Sequence, residues 1–180
     1  MITTTLNKIR DHSPCQEGWE KLLKHLGKTK ADDEPLPFAV IVESNGIEDA
    51  LWCCRSAPEY DKEWRLFAVW CARQVQHLMT DPRSVAALDI AERSANGEVT
   101  TKALDAARAA AWDAARAADR AAARAADWAA AWAAAGDAAG AAAWAAAWAA
   151  AWAAAMAADR DAAGAAARAA QTKRFLEVVS

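Results

Sequence analysis

From Thr101 to Ala170 the chain is written on a four-residue frame, and that frame limits what it can fold into more than any other feature. Of these 70 residues 44 are alanine. Every fourth position is something else: Leu104, Arg108, Trp112, Arg116, Arg120, Arg124, Trp128, Trp132, Gly136, Gly140, Trp144, Trp148, Trp152, Met156, Arg160, Gly164, Arg168 and Thr172. Two residues after each comes a constant alanine, from Ala106 to Ala170. Alanine has the highest intrinsic helix propensity, and nothing between Thr101 and Thr172 is β-branched. The segment is therefore expected to be helical.

Four residues turn an α-helix by about 400°, so the variable stripe drifts by about 40° per repeat, while the constant alanine lies on the opposite side. A single unbroken helix of this length would reach about 105 Å. Gly136, Gly140 and Gly164 are the expected interruptions, because glycine tolerates a break at least cost. A reversal at Gly136–Gly140 would set Trp132 against Trp144, Trp128 against Trp148, and Arg124 against Trp152.

Residues 1–100 read as an ordinary globular helical sequence. Ser13-Pro14 is a helix-start signal, followed by Trp19, Leu22, Leu23 and Leu26 at helical spacing and Gly27 as a stop. Phe38 to Ser44 is read as a helix ending at Asn45-Gly46, with Ile47 to Arg55 as the next one. Pro58 opens a helix whose apolar stripe is Trp64, Phe67, Ala68, Cys71, Val75 and Leu78. Asp81-Pro82 caps another, which Asn96-Gly97 ends. The expected fold class is all-α: a bundle of short antiparallel helices (1–100), followed by one or two long alanine-rich helices (101–180) packed on it or extending from it.

Composition narrows the function classes. The net charge of −3 argues against general nucleic-acid binding, which needs a basic excess. Ala138 to Ala158 carries no charge over 21 residues, a bilayer-spanning length. It lacks the Leu, Ile, Val and Phe that drive insertion, so no membrane span is expected. No apolar stretch of signal-peptide length lies between Met1 and Cys15, and Cys15, Cys53, Cys54 and Cys71 show no disulfide framework, so reduced thiols in a cytoplasm are expected. With His12, His25 and His77 these cysteines form no metal-ligand spacing. Neither a metal, another cofactor nor a catalytic residue is expected, and the chain is read as non-enzymatic.

The candidate ligand- or partner-binding residues are those of the stripe: Arg116, Arg120, Arg124, Trp128, Trp132, Trp144, Trp148 and Trp152. Arginine can hold a phosphate while tryptophan stacks on a base, which suits a nucleotide ligand. The bland alternatives are that Asp113, Asp119 and Asp127 neutralise the arginines, and that the tryptophans are core or a homo-oligomer interface.

Two stretches carry a resemblance. One is Asn45-Gly46-Ile47-Glu48-Asp49-Ala50-Leu51-Trp52-Cys53-Cys54-Arg55. The other runs from Trp64-Arg65-Leu66-Phe67-Ala68 through Asp81-Pro82-Arg83-Ser84 to Ala86-Ala87-Leu88-Asp89-Ile90-Ala91-Glu92-Arg93 and Asn96-Gly97. Over roughly residues 10–110 the chain resembles a helical immunity-protein family of bacteria and their phages. The resemblance implies an all-α domain and a role in toxin neutralisation or phage–host conflict. The expected function is an immunity or anti-defence inhibitor that blocks a toxin or host defence protein. The alternatives are a sponge for a nucleotide signalling molecule and a structural oligomerisation protein.

Overall fold

Helix boundaries in the first hundred residues fall mostly where the sequence supplies caps and left-handed turns. The computed structural model describes residues 1–117, 126–128, 130–131, 133–134 and 160–180. Helix α1 (Leu6–Asp11) starts at Thr5, whose hydroxyl accepts from the Lys8 amide. Helix α2 (Gln16–His25) runs up to Gly27, at φ +65°. Gly46, at φ +94°, serves two helices: it ends α3 (Phe38–Asn45) and opens α4 (Ile47–Cys53). Only glycine takes that backbone conformation without a Cβ penalty. Single 3-10 turns follow at Cys54–Ser56 and Pro58–Tyr60. Then come α5 (Asp61–Gln74) and α6 (Pro82–Ala95), the latter capped by the Asp81 carboxylate accepting from the Arg83 amide. Helix α7 is Thr101–Ala117, and α8 is Arg160–Val179.

The fold is all-α. The one sheet among the described residues is a two-residue antiparallel pairing of β1 (Thr3–Thr4) with β2 (Leu36–Pro37), in register Thr3↔Pro37 and Thr4↔Leu36. The Ile2 amide donates to Val179 O at 2.8 Å, and the Phe38 amide donates to Ile2 O at 3.2 Å. The start of the chain is thus clamped between α3 and the end of α8.

The centre of the core is aromatic. Phe38, Trp64, Phe67 and Phe175 are all buried, with ring centroids 5.2 Å apart for Phe38–Trp64, 5.9 Å for Trp64–Phe175 and 5.4 Å for Phe67–Phe175. The Trp64 indole N–H donates to Ala57 O at 2.9 Å, so its one polar atom is satisfied where it is buried. Helix α8 lies on α3, α4 and α5. On it, Arg168 of the variable stripe forms an ion pair with Glu48 in the first turn of α4.

A second layer is made of small residues. Helix α7 packs along α6, burying Leu104, Ala107 and Ala111 with Ala87, Leu88 and Ala91. Ala126, Ala130, Ala131, Ala133 and Ala134 are buried in the same cluster. The stripe turns outward along α7 as its drift requires: Leu104 is buried, Arg108 and Trp112 are half-buried, and Arg116 is exposed.

Three expectations are revised. Cys15, not Ser13-Pro14, precedes the first residue of α2; Ser13, at φ +55°, carries the chain out of α1, which buries Leu6 and Ile9. Pro58 opens a 3-10 turn, and α5 begins at Asp61. Trp112 and Trp128 have ring centroids 4.6 Å apart, whereas sixteen residues of straight helix would separate them by about 24 Å. They do not share one straight helix, so the glycines at 136, 140 and 164 do not mark the first departure from one. No helix among the described residues is long and apolar enough to cross a membrane, and Ala138–Ala158 lies outside those residues.

Candidate functional site

A concavity lies where α2, α3 and α4 meet, with a volume of about 140 Å³. Its floor is apolar: Ile9 from α1, Leu22 from α2 and Ile41 from α3 are all buried. Trp19 and Trp52, both half-buried, contribute its aromatic lining. Pro14, Cys15, Gly18, Asn45, Asp49 and Cys53 complete it.

Gly18 lets these elements come together. A Cβ at that position would lie 2.8 Å from Asp49 Oδ2, 3.2 Å from Cys15 Sγ and 3.6 Å from Asn45 Nδ2. The first distance is shorter than any ordinary contact, so a side chain there would push the Asp49 carboxylate off its hydrogen bond with Asn45. The three polar groups of the cavity thus converge on the one residue that has no side chain. Asn45 locks the arrangement: its Nδ2 donates to Gly18 O at 2.8 Å and to Asp49 Oδ2 at 2.7 Å, while its Oδ1 accepts from the Ser44 hydroxyl. One amide therefore ties the end of α3 to the body of α2 and to the first turn of α4.

The charge balance is uneven. Asp49 accepts that one hydrogen bond and has no ion-pair partner among the described residues. Cys53 is buried, and desolvation together with the nearby Asp49 charge pushes its thiol up to about 12, so it stays protonated. Burial likewise holds the Cys54 and Cys71 thiols up. Cys15 is exposed at the rim. The back of the site shows what Trp52 can do: the Arg55 guanidinium carbon lies 4.4 Å from its ring centroid, and Arg55 Nε donates to Trp52 O at 2.8 Å. Among the described residues no group of His, Cys, Asp and Glu is placed to hold a metal.

The sequence-derived candidates lie elsewhere. Arg116 is exposed on α7 and forms an ion pair with Asp113. Trp128 is half-buried, edge to face with Trp112. Arg120, Arg124, Trp132, Trp144, Trp148 and Trp152 lie outside the described residues, as do the pairings proposed for Trp132, Trp128 and Arg124 across Gly136–Gly140. In the described part of the stripe Arg116 meets Asp113 and Trp112 meets Trp128, while Arg168 on α8 meets Glu48 of α4. Asp127, which the repeat places beside the stripe, is instead fully buried, close to Ser84 but with no hydrogen bond of ordinary geometry to either oxygen among the described residues, and burial pushes its carboxyl above the ordinary range.

Sequence reasoning missed the cavity because its residues carry local structural meanings first. Asn45 reads as a helix end, Cys53 as a core thiol and Gly18 as an ordinary small residue. The chain matches no family model, no curated protein and no solved structure.

Proposed function

We propose that this protein acts by occupancy rather than by chemistry: it is an immunity or phage anti-defence inhibitor that blocks a toxin or host defence protein. The observation that carries this reading is the cavity. It is small, aromatic and apolar, with its walls fixed by the Gly18 approach and the two Asn45 hydrogen bonds. Preformed pockets with a few placed polar groups are what partner residues anchor into. Asn45, Asp49, Trp52 and Cys53 all belong to the stretch that carries the family resemblance, so the resemblance and the pocket draw on the same residues. The high pKa of the Cys53 thiol fits a wall better than a nucleophile. The self-satisfied contacts of Arg116 and Trp128 favour this reading over a nucleotide sponge working through the stripe.

Co-expression with the product of each neighbouring gene tests it, with growth as the readout. Rescue from one toxic neighbour, with co-elution of the two chains, is the expected result. For the anti-defence form, a strain carrying the relevant defence system should recover phage plating when this protein is expressed. Neither rescue nor restored plating, with the protein present and folded in the cells, would overturn the proposal. Quenching of tryptophan fluorescence by nucleotides, lost on Arg116→Ala, would move the assignment to the sponge.

A further inference from the structure

We infer that the α2–α3–α4 cavity is a receptor for a cationic side chain, a lysine or arginine, presented by the protein partner. The inference rests on the partner-binding reading above and supplies the chemistry of the contact. Three observations converge on it. Two tryptophans, Trp19 and Trp52, line the cavity, and an indole face attracts a cation more strongly than other aromatic faces do. Trp52 already holds one cation in this protein, the Arg55 guanidinium at 4.4 Å. The cavity also holds one acidic side chain, Asp49, which no ion pair neutralises among the described residues and which Asn45 holds in a fixed direction.

The apolar floor adds the rest. Lysine and arginine carry long methylene stems that bury well against residues such as Leu22 and Ile41 while the charged head finds its partner. The volume, about 140 Å³, is close to that of an engineered cavity of about 150 Å³ that holds benzene, so it accepts a head group and part of a stem but not a folded element. A purely apolar guest would cover the half-buried Asp49 carboxylate without pairing it, which costs desolvation with no compensating contact. A phosphate or carboxylate would meet Asp49 as a like charge. The complementary guest is therefore a cation on an aliphatic stem.

The test uses the whole protein and three soluble probes: N-acetylarginine amide, N-acetyllysine amide and the neutral N-acetylcitrulline amide, nearly isosteric with the first. Binding is read from the indole N–H resonances of Trp19 and Trp52. The expected result is that the cationic amides shift both resonances and bind at least about tenfold tighter than citrulline, a difference of about 1.4 kcal/mol. Asp49→Asn should erase that preference, and Asp33→Asn, at an exposed carboxylate outside the cavity lining, should leave it in place. Equal binding of arginine and citrulline amides would overturn the inference, as would the absence of shifts at both tryptophans. The wild-type comparison needs no variant, so a poorly folded Asp49→Asn protein does not remove the test. No partner is used either: loss of cation selectivity overturns this inference alone, and failed rescue in cells overturns the inhibitor reading alone.

Discussion

The aromatic centre and the alanine layer bury side chains of opposite size and do so by different means. Around Phe38, Trp64, Phe67 and Phe175, a few large rings from α3, α5 and α8 fill a volume, and their one polar atom, the Trp64 indole N–H, is matched by Ala57 O. Between α6, α7 and Ala126, Ala130, Ala131, Ala133 and Ala134, buried alanines bring backbones together and leave little volume to fill. Losing a ring opens a hole, whereas adding a methyl or two to an alanine forces two helices apart. The first region is sensitive to deletion and the second to insertion.

Trp64→Ala should have the largest effect. It removes a fully buried ring that meets Phe38, Tyr60 and Phe175, and should destabilise the protein by about 3–5 kcal/mol in denaturant unfolding. A loss below about 1 kcal/mol would mean that the rings do not act as one centre. Ala111→Leu should reverse the logic. Ala111 is fully buried against α6, and overpacking there should cost about 1–3 kcal/mol, while Ala109→Leu on the exposed face of the same helix should stay within about 0.5 kcal/mol. Equal effects at the two sites would remove the distinction between the layers.

Asp127 sharpens the comparison, because it is a charged group placed in the alanine layer. Burial raises its carboxyl above the ordinary 3.8; Asp81 adds to the rise, and Ser84 and Arg83 oppose it. Asp113 of α7 also faces Arg83. Between the ordinary and the raised value the folded state binds more proton than the unfolded chain, so stability falls as pH rises through that window, and above the raised value the full loss is present. Asp127→Asn should flatten this fall and gain about 1 kcal/mol at neutral pH, part of the usual cost of an unpaired buried polar group. Asp32, Glu59 and Asp81 are shifted down and act in the opposite direction, so the contrast between wild type and variant is the measurement. A parallel pH dependence in the two proteins would show that the carboxyl is not confined. The smallest effect is expected at Arg116→Ala. Its ion pair with Asp113 is exposed on both sides, and the melting temperature should correspond to a change of no more than about 0.5 kcal/mol.

Much of the helical order was legible because caps are local. Asn45-Gly46, Asp81-Pro82 and Asn96-Gly97 each fixed a boundary by chemistry confined to a few neighbouring residues, and the structure places α3, α4 and α6 against them. The drift of the stripe along α7 was legible too, since it follows from helix pitch alone. Tertiary meetings were not. Nothing near Phe175, the one aromatic residue of Gln171–Ser180, announces that it stacks on Trp64. The cavity was hidden for the same reason: Cys15, Asn45 and Asp49 are separated in sequence and meet only because Gly18 has no Cβ. Thr3 and Thr4, far from Leu36 and Pro37, gave no strand signal because two residues carry no period.

The position of Phe175 also bears on how this protein comes into being on the ribosome. Phe38, Trp64 and Phe67 are synthesised before the alanine array, but the ring that stacks on Trp64 is synthesised after it. Until then the nascent chain holds an aromatic hollow open to water and to other chains, the condition that favours misassembly and chaperone capture. The long alanine array is made during that interval. A transcript cut short anywhere in the array would give a product lacking this plug, and such a product would be cleared rather than accumulate as a shortened protein.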